Sequence, residues 1–419
     1  MDFLTIIGNR HNAYCLFLLV IVACFTCQAQ NIPPKNIQPT RDSLSKANSV
    51  YSQTQLDLAD VAKKLIKIKP HPEHDSVGIH TSVLPAFGYS LQTGLAGVFS
   101  TNFAFYTNPR HSTEKISSVI SSVAYTQYKQ IIFPIQASIW TKKDRYNVIV
   151  DWRYLNYPST TFGLGGNSKI NDGYKIDFYY IRFRQSVLRK IAKNAYAGLG
   201  YYYDYLWNIR ELNPPQGKTD FEKYGLTPTT RASGIAFRIL IDTRHNQINP
   251  KQGWYMNIVD RTNYTFLGSS SNWQSFLAEF RRYYTFPAHP KSVLALWSYN
   301  WFTLGGKPPY LLLPSTGWDD YSNTGRGYIQ GRYRGRQMVY LEAEYRFGIS
   351  QNGMFGGVVF VNAQSFSRTI SQQFSIIAPA AGAGLRIKLN KFSGANLCID
   401  YAVGIEGSRG LFVNLGEVF

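Results

Sequence analysis

The stretch Ser322–Phe347 reads SNTGRGYIQGRYRGRQMVYLEAEYRF and decides the fold. It opens as a polar loop around Arg326-Gly327-Tyr328 and runs directly into a strand of alternating character. Val339, Leu341, Ala343, Tyr345 and Phe347 fall on one face, because successive side chains in a strand point opposite ways. Tyr340, Glu342, Glu344 and Arg346 fall on the other. Two carboxylates and a guanidinium do not suit the core of a soluble sandwich. A wall with lipid outside and water inside accommodates both faces.

The same period of two runs outward from this strand in both directions. Upstream it recurs near 77–89, 94–106, 116–127, 130–141, 145–156, 173–187, 194–208 and 231–243, then near 252–264, 272–286 and 290–302. Downstream of 337–349 it recurs near 353–365, 380–391, 395–405 and 410–419. That predicts an all-β fold: a transmembrane antiparallel β-barrel of about 16 strands over residues 77–419, each strand long enough to cross a tilted wall. An even count puts both barrel ends in the periplasm. The short connections His245–Gln252, Pro287–Lys291, Ser350–Gly353 and Asn390–Ala395 then fall at the periplasmic end. The long ones, 157–172, 209–230 and 303–336, fall outside, the last after the eleventh strand.

The N-terminus reads as an export signal over residues 1–29. Arg10 and His11 precede an apolar core, Cys15–Phe25, too short to span a bilayer. Cys27-Gln28-Ala29 offers small residues for cleavage after Ala29; Ile21-Val22-Ala23-Cys24 offers the alternative of lipidation at Cys24. Residues 30–76 read as a periplasmic leader and an amphipathic helix, Thr54–Lys69, with Leu58, Val61, Leu65 and Ile68 at helical spacing. Pro70 and Pro72 end it. This helix is either a solvated linker or a periplasmic plug or docking element. Export and barrel together place the protein in the bacterial outer membrane.

Of four cysteines only Cys398 lies beyond the signal, so no intrachain disulfide is available and strand pairing must supply the stability. Aromatics make up 15% of the chain, as expected of girdles at two membrane interfaces. The net charge of +19 does not point to nucleic acid: the basic residues are scattered and no nucleic-acid-binding motif accompanies them. Solvated turns account for most of it, and the acidic partners left are lipid phosphates or anionic solutes. No metal spacing, cofactor motif or nucleophile elbow appears, so the expectation is a non-enzyme without metal or cofactor.

Several further motifs accompany the Arg326-Gly327-Tyr328 loop. The eighth strand ends Asp242-Thr243-Arg244 and turns through Asn249-Pro250-Lys251-Gln252-Gly253-Trp254-Tyr255. Tyr89-Ser90-Leu91-Gln92-Thr93-Gly94 forms a first hairpin, and Phe162-Gly163-Leu164-Gly165-Gly166-Asn167 a Gly-rich outer loop. The chain closes on Asn414-Leu415-Gly416-Glu417-Val418-Phe419. Together these resemble the BamA/TamA family of outer-membrane insertases and the related two-partner-secretion transporters, from about Val77 to Phe419.

The resemblance implies that the loop folds back into the barrel lumen and that Arg326 pairs there with Glu344, beside Arg346, and with a residue on the next strand. That second position carries Asn362 where the family has an aspartate, which implies a weaker latch that Asn362→Asp tightens. Gly416 and Phe419 match the family's C-terminal recognition signal. Pro85, without an N–H, leaves the seam between first and last strands short of one ladder bond. Gln30–Ser76 is too short for one of the family's periplasmic substrate-receiving domains. The implied function is an accessory role in outer-membrane protein or lipid assembly or in secretion, with outer-membrane lipids and other assembly or secretion proteins as partners. An anion-leaning pore, from Arg332, Arg334 and Arg336, and a structural subunit of a larger complex are the alternatives.

Overall fold

A computed structural model describes residues 56–57, 80–107, 115–370, 374, 376–391 and 394–419. The expected signal peptide lies outside these residues, as does the expected leader and helix apart from Leu56 and Asp57. The Leu56 N–H donates to the Asn352 carbonyl at 3.2 Å, and the Asp57 carboxylate accepts the Lys391 N–H at 2.9 Å. Both partners sit in or beside short turns at one rim of the barrel.

The described residues form one antiparallel sheet. Its strands are β1 His80–Ser90, β2 Gly94–Phe105, β3 Ser117–Thr126, β4 Ile131–Trp140, β5 Tyr146–Asn156 and the three-residue β6 Ser159–Thr161. They continue as β7 Tyr174–Ala192, β8 Ala195–Leu212, β9 Thr229–Asp242, β10 Gly253–Asn263, β11 Trp273–Phe286 and β12 His289–Gly306. The last are β13 Gln337–Gly348, β14 Phe355–Ser367, β15 Ile377–Lys388, β16 Asn396–Gly404 and β17 Arg409–Leu415. Sixteen are the strands that alternation predicts. The seventeenth, β6, is an addition inside the outer loop after β5, laddered on Tyr174–Ile176.

Each long strand pairs with the next, from β1 with β2 to β16 with β17. The strands β1 and β17 lie side by side at the seam, and among the described residues no register joins them. A Cβ on Gly410 of β17 would meet Leu91, just past β1, at 2.5 Å, which aligns the two strands. The β1–β2 register passes through Pro85, opposite Phe99, without a shift.

Alternation fixes which way each strand faces. Along β13, Tyr340, Glu342, Glu344 and Arg346 are buried while Leu341 and Tyr345 are exposed. On the outward phase of neighbouring strands Phe87, Val187, Leu199 and Phe237 are likewise exposed, a lipid-facing skin. The inward face packs against protein. The 307–336 loop after β12 occupies the lumen and packs Tyr310, Leu311, Leu312 and Leu313 against Phe178, Tyr180 and Leu206.

Two local devices shape the rims. Asp242 accepts from Arg244 through its backbone N–H and its guanidinium at 2.9–3.0 Å, the guanidinium stacks over Tyr255, and Gly253 (φ +99) closes the turn. At the other end, β7 and β8 run 19 and 18 residues, well beyond the ~10 that cross a bilayer, and carry the outer loops and the short helix α1, Asp220–Tyr224.

The last strand departs from its expected extent. It stops at Leu415, where Gly416 adopts φ +89, so Gly416–Phe419 leaves the wall and turns into the lumen. Phe419 stacks on Trp297 with centroids 5.0 Å apart and is 3% exposed. A left-handed residue ends pairing here, and alternation alone carries no sign of it.

Candidate functional site: a lumen latch

Arg326 reaches its place because the backbone on either side of it can do what an L side chain resists. Gly325 (φ +79) and Gly327 (φ +104) are both left-handed. A Cβ would also meet Thr316 at 2.5 Å from the first and Ala380 at 2.8 Å from the second. The Tyr328 N–H closes this turn on the Gly325 carbonyl at 3.0 Å.

The Arg326 guanidinium, 1% exposed, meets three carboxylates. One terminal nitrogen donates to Asp400 at 2.5 Å; the other donates to Glu342 and Glu344. Its face lies 3.6 Å from the Phe360 ring centroid, so cation–π attraction adds to the ion pairs. Burial alone works to strip its proton; Glu342, Glu344 and Asp400 outweigh that and hold it charged far above its ordinary range.

The carboxylates are held in turn. Arg346 donates from Nε to Glu344 at 2.7 Å and reaches the Phe419 carbonyl at 3.0 Å. Arg386 bridges Asp400 at 2.5 Å and Glu417 at 2.9 Å, and Tyr340 donates to Glu342. Three guanidiniums (Arg326, Arg346, Arg386) thus face four carboxylates (Glu342, Glu344, Asp400, Glu417) in one network across β13, β15, β16 and the inturned segment. Such density is tolerable in a dry interior because each charge is paired and hydrogen-bonded.

Tyr328 anchors the next residue over. Its hydroxyl donates to the Pro379 carbonyl at 2.6 Å and accepts the Ile405 N–H at 3.1 Å, and a Cβ on Gly404 would collide with its ring at 2.5 Å. Burial pushes its hydroxyl pKa up, against the opposing pull of the Ile405 N–H and Arg332.

Asn362 plays a different part from the one expected. It does not accept from the guanidinium: its amide nitrogen donates to the Arg326 backbone carbonyl at 2.9 Å, and its side-chain oxygen has no partner among the described residues. The carboxylates closing the network come from Glu342, on the same strand as Glu344, and from Asp400, on β16. Alternation already puts Glu342 on the inward face. Asp400 shares its inward phase with Cys398 and Ala402, so a lone inward carboxylate was its signal.

Other parts of the loop bind other walls. The Asp320 carbonyl accepts from Gln136 at 3.1 Å and from Arg153, on β4 and β5. Asn323 donates to the Val418 carbonyl at 2.7 Å, tying loop to inturned segment. Arg332 pairs with Glu406 at 2.5 Å and Ser168, Arg334 donates to the Tyr310 carbonyl at 3.2 Å, and Arg336 to the Gly306 carbonyl at 2.5 Å.

Comparison with known proteins fits this geometry. The model of the Omp85 superfamily domain matches residues 122–410, more than half of the sequence. The chain belongs to the Omp85 superfamily. Among solved structures it is similar to BamA from Haemophilus ducreyi lacking POTRA domains 1–3, with 15% identity and a TM-score of 0.52 over 92% of this chain and 80% of that one. It is also similar to CdiB from Acinetobacter baumannii, with 11% identity and a TM-score of 0.49 over 81% of this chain and 66% of that one. At such identities the likeness is one of fold. No curated protein matches the chain by sequence. As an Omp85 barrel it is an outer-membrane protein, and the latch runs from β13 to β16, the neighbour of the last strand.

Proposed function

We propose that this Omp85 barrel is an accessory in outer-membrane protein or lipid assembly or in secretion, with its loop holding the lumen while the seam between β1 and β17 does the work. The observation that carries the reading is the convergence of Arg326 on Glu342, Glu344 and Asp400. A loop tied at once to β13 and β16 lets the seam strands move without opening a hole through the membrane. The seam favours this, since its two strands share no ladder among the described residues. The reading of Arg326, Gly327 and Tyr328 as the functional loop motif, with Glu344, Asn362 and Arg346 as latch partners, Pro85 as a seam residue and Gly416 and Phe419 as the C-terminal signal, belongs to this proposal.

An anion-leaning pore draws less support, because the arginines that suggested it are engaged by Glu406 and by backbone carbonyls. Affinity purification from native membranes tests the choice. An accessory or a structural subunit is recovered with other outer-membrane or periplasmic proteins; recovery alone, with a large steady conductance in planar bilayers, overturns the proposal. Arg326→Ala separates the first two: a scaffold keeps its partners and its cellular function, whereas an accessory keeps its partners and loses function.

A further inference from the structure

The short-turn rim carries a second feature that the latch does not use. The β4–β5 turn and the end of the β7–β8 hairpin lie side by side, joined by the Lys190 N–H donating to the Arg145 carbonyl at 2.9 Å. Lys143 and Asp144 both take left-handed backbone, φ 58 and 50, which folds the turn tightly beside its neighbour. Between the two hairpins is an open pocket of about 420 Å³ lined by Lys143, Arg145, Arg189, Lys190, Ile191 and Ala192.

Four of those six residues are cations. Asp144, the carboxylate in the same turn, is spent elsewhere, accepting the Lys115 N–H at 2.9 Å. Among the described residues no carboxylate lies within ion-pair reach of Arg145, Arg189 or Lys190. Arg145, Arg189 and Lys190 therefore give the pocket a positive field that no carboxylate among the described residues pairs with.

The wall below the pocket is apolar. Arg189 and Ile191 share the outward phase of β7 with Val187, and Leu199 of β8 stands opposite Val187. Ile191, Val187 and Leu199 are 63%, 52% and 61% exposed, on the face that meets lipid. The Arg145 guanidinium lies 5.7 Å from the Tyr146 ring centroid, an aromatic at interfacial height.

We propose that this pocket binds the phosphate of an anionic phospholipid in the periplasmic leaflet, held between Arg145 and Arg189, with the acyl chains lying over Val187 and Leu199. Free phosphate shares the first half of that chemistry. It has no use for the apolar strip, and that difference separates the two.

The test is retention of phosphatidylglycerol by the full barrel in mild detergent, counted by native mass spectrometry, with heat-modifiable migration checked for every variant. Each cation contributes about fivefold, so Arg145→Gln with Arg189→Gln is expected to weaken retention by roughly thirtyfold. Lys143→Gln with Lys190→Gln provides an independent pair with the same expected direction. Val187→Ser with Leu199→Ser is expected to lower retention as well, while inorganic phosphate in excess leaves the bound lipid in place. Unchanged retention in both cation pairs overturns the site. Displacement of the lipid by phosphate, or indifference to the Val187 and Leu199 changes, overturns the lipid and leaves a phosphate site.

Discussion

Arg326 holds its loop through three acceptors rather than one, and that changes what its removal does. Truncating one side of a buried ion pair costs about 3–5 kcal/mol, because the partner charge is left behind. Here Arg326→Ala strands Glu342, whose one guanidinium partner among the described residues it is, and leaves Glu344 and Asp400 with Arg346 and Arg386 alone, so the loop is expected to leave the lumen while the strand ladders stay intact. Protease added from outside then cleaves at Arg332, and single-channel conductance rises. Adding Glu342→Gln to Arg326→Ala removes one stranded charge and is expected to restore part of the protection; no change in protease access in Arg326→Ala counts against the latch. Asn362→Asp runs opposite to the expectation from the family pattern. The amide donor to the Arg326 carbonyl is lost and a carboxylate faces that carbonyl, so the same protease assay is expected to show a looser loop. Alternation made Glu342 and Glu344 legible as inward residues. It could not reveal which carboxylate three strands away would meet the guanidinium, since that depends on how deep the loop descends.

At the level of elements, period two located every long strand, because lipid outside and packed polar groups inside impose it on each crossing. It could not show where β17 ends. Glu417, Val418 and Phe419 continue an acceptable alternation, and what ends the strand is the φ +89 of Gly416. Gly416→Ala costs about 1–2 kcal/mol in that conformation and is expected to shift the inturned segment outward by roughly tenfold. Cysteines in place of Asn323 and Val418 report this: their crosslink forms readily with Gly416 present and falls sharply in the Ala variant. Alignment of Gly410 with Leu91 places Val413 near Gly88, so Gly88→Cys with Val413→Cys is expected to crosslink in membranes. The same count brings Leu415 to about Ala86. The His80–Pro85 half of β1 then extends past its neighbour with its backbone edge unmatched, and Pro85 within it presents one donor fewer. A crosslink from Val413 to strands beyond β1 and β16 would contradict this seam.

For the whole molecule, stability rests on fifteen consecutive long-strand pairings, with no disulfide among the described residues, where Cys398 is the one cysteine. Migration on gels is therefore expected to depend on boiling, and Arg326→Ala is expected to leave that dependence intact, since the ladders do not pass through the loop. The loop itself was legible as a lumen element only through its resemblance; nothing in its composition shows that Asp320 would reach the opposite side. That reach has a mechanical meaning. One point of the loop, Arg326, is fastened to β13 and β16 through charge, and a point six residues earlier is fastened to β4 and β5 through a backbone carbonyl. A cylinder with a strut across its bore resists becoming oval. Any widening of the cross-section along that line must first break one fastening, and the neutral carbonyl at Asp320 is the weaker. The barrel wall should thus be stiff along the diameter the loop spans and compliant across it, so that shape changes are steered rather than merely permitted.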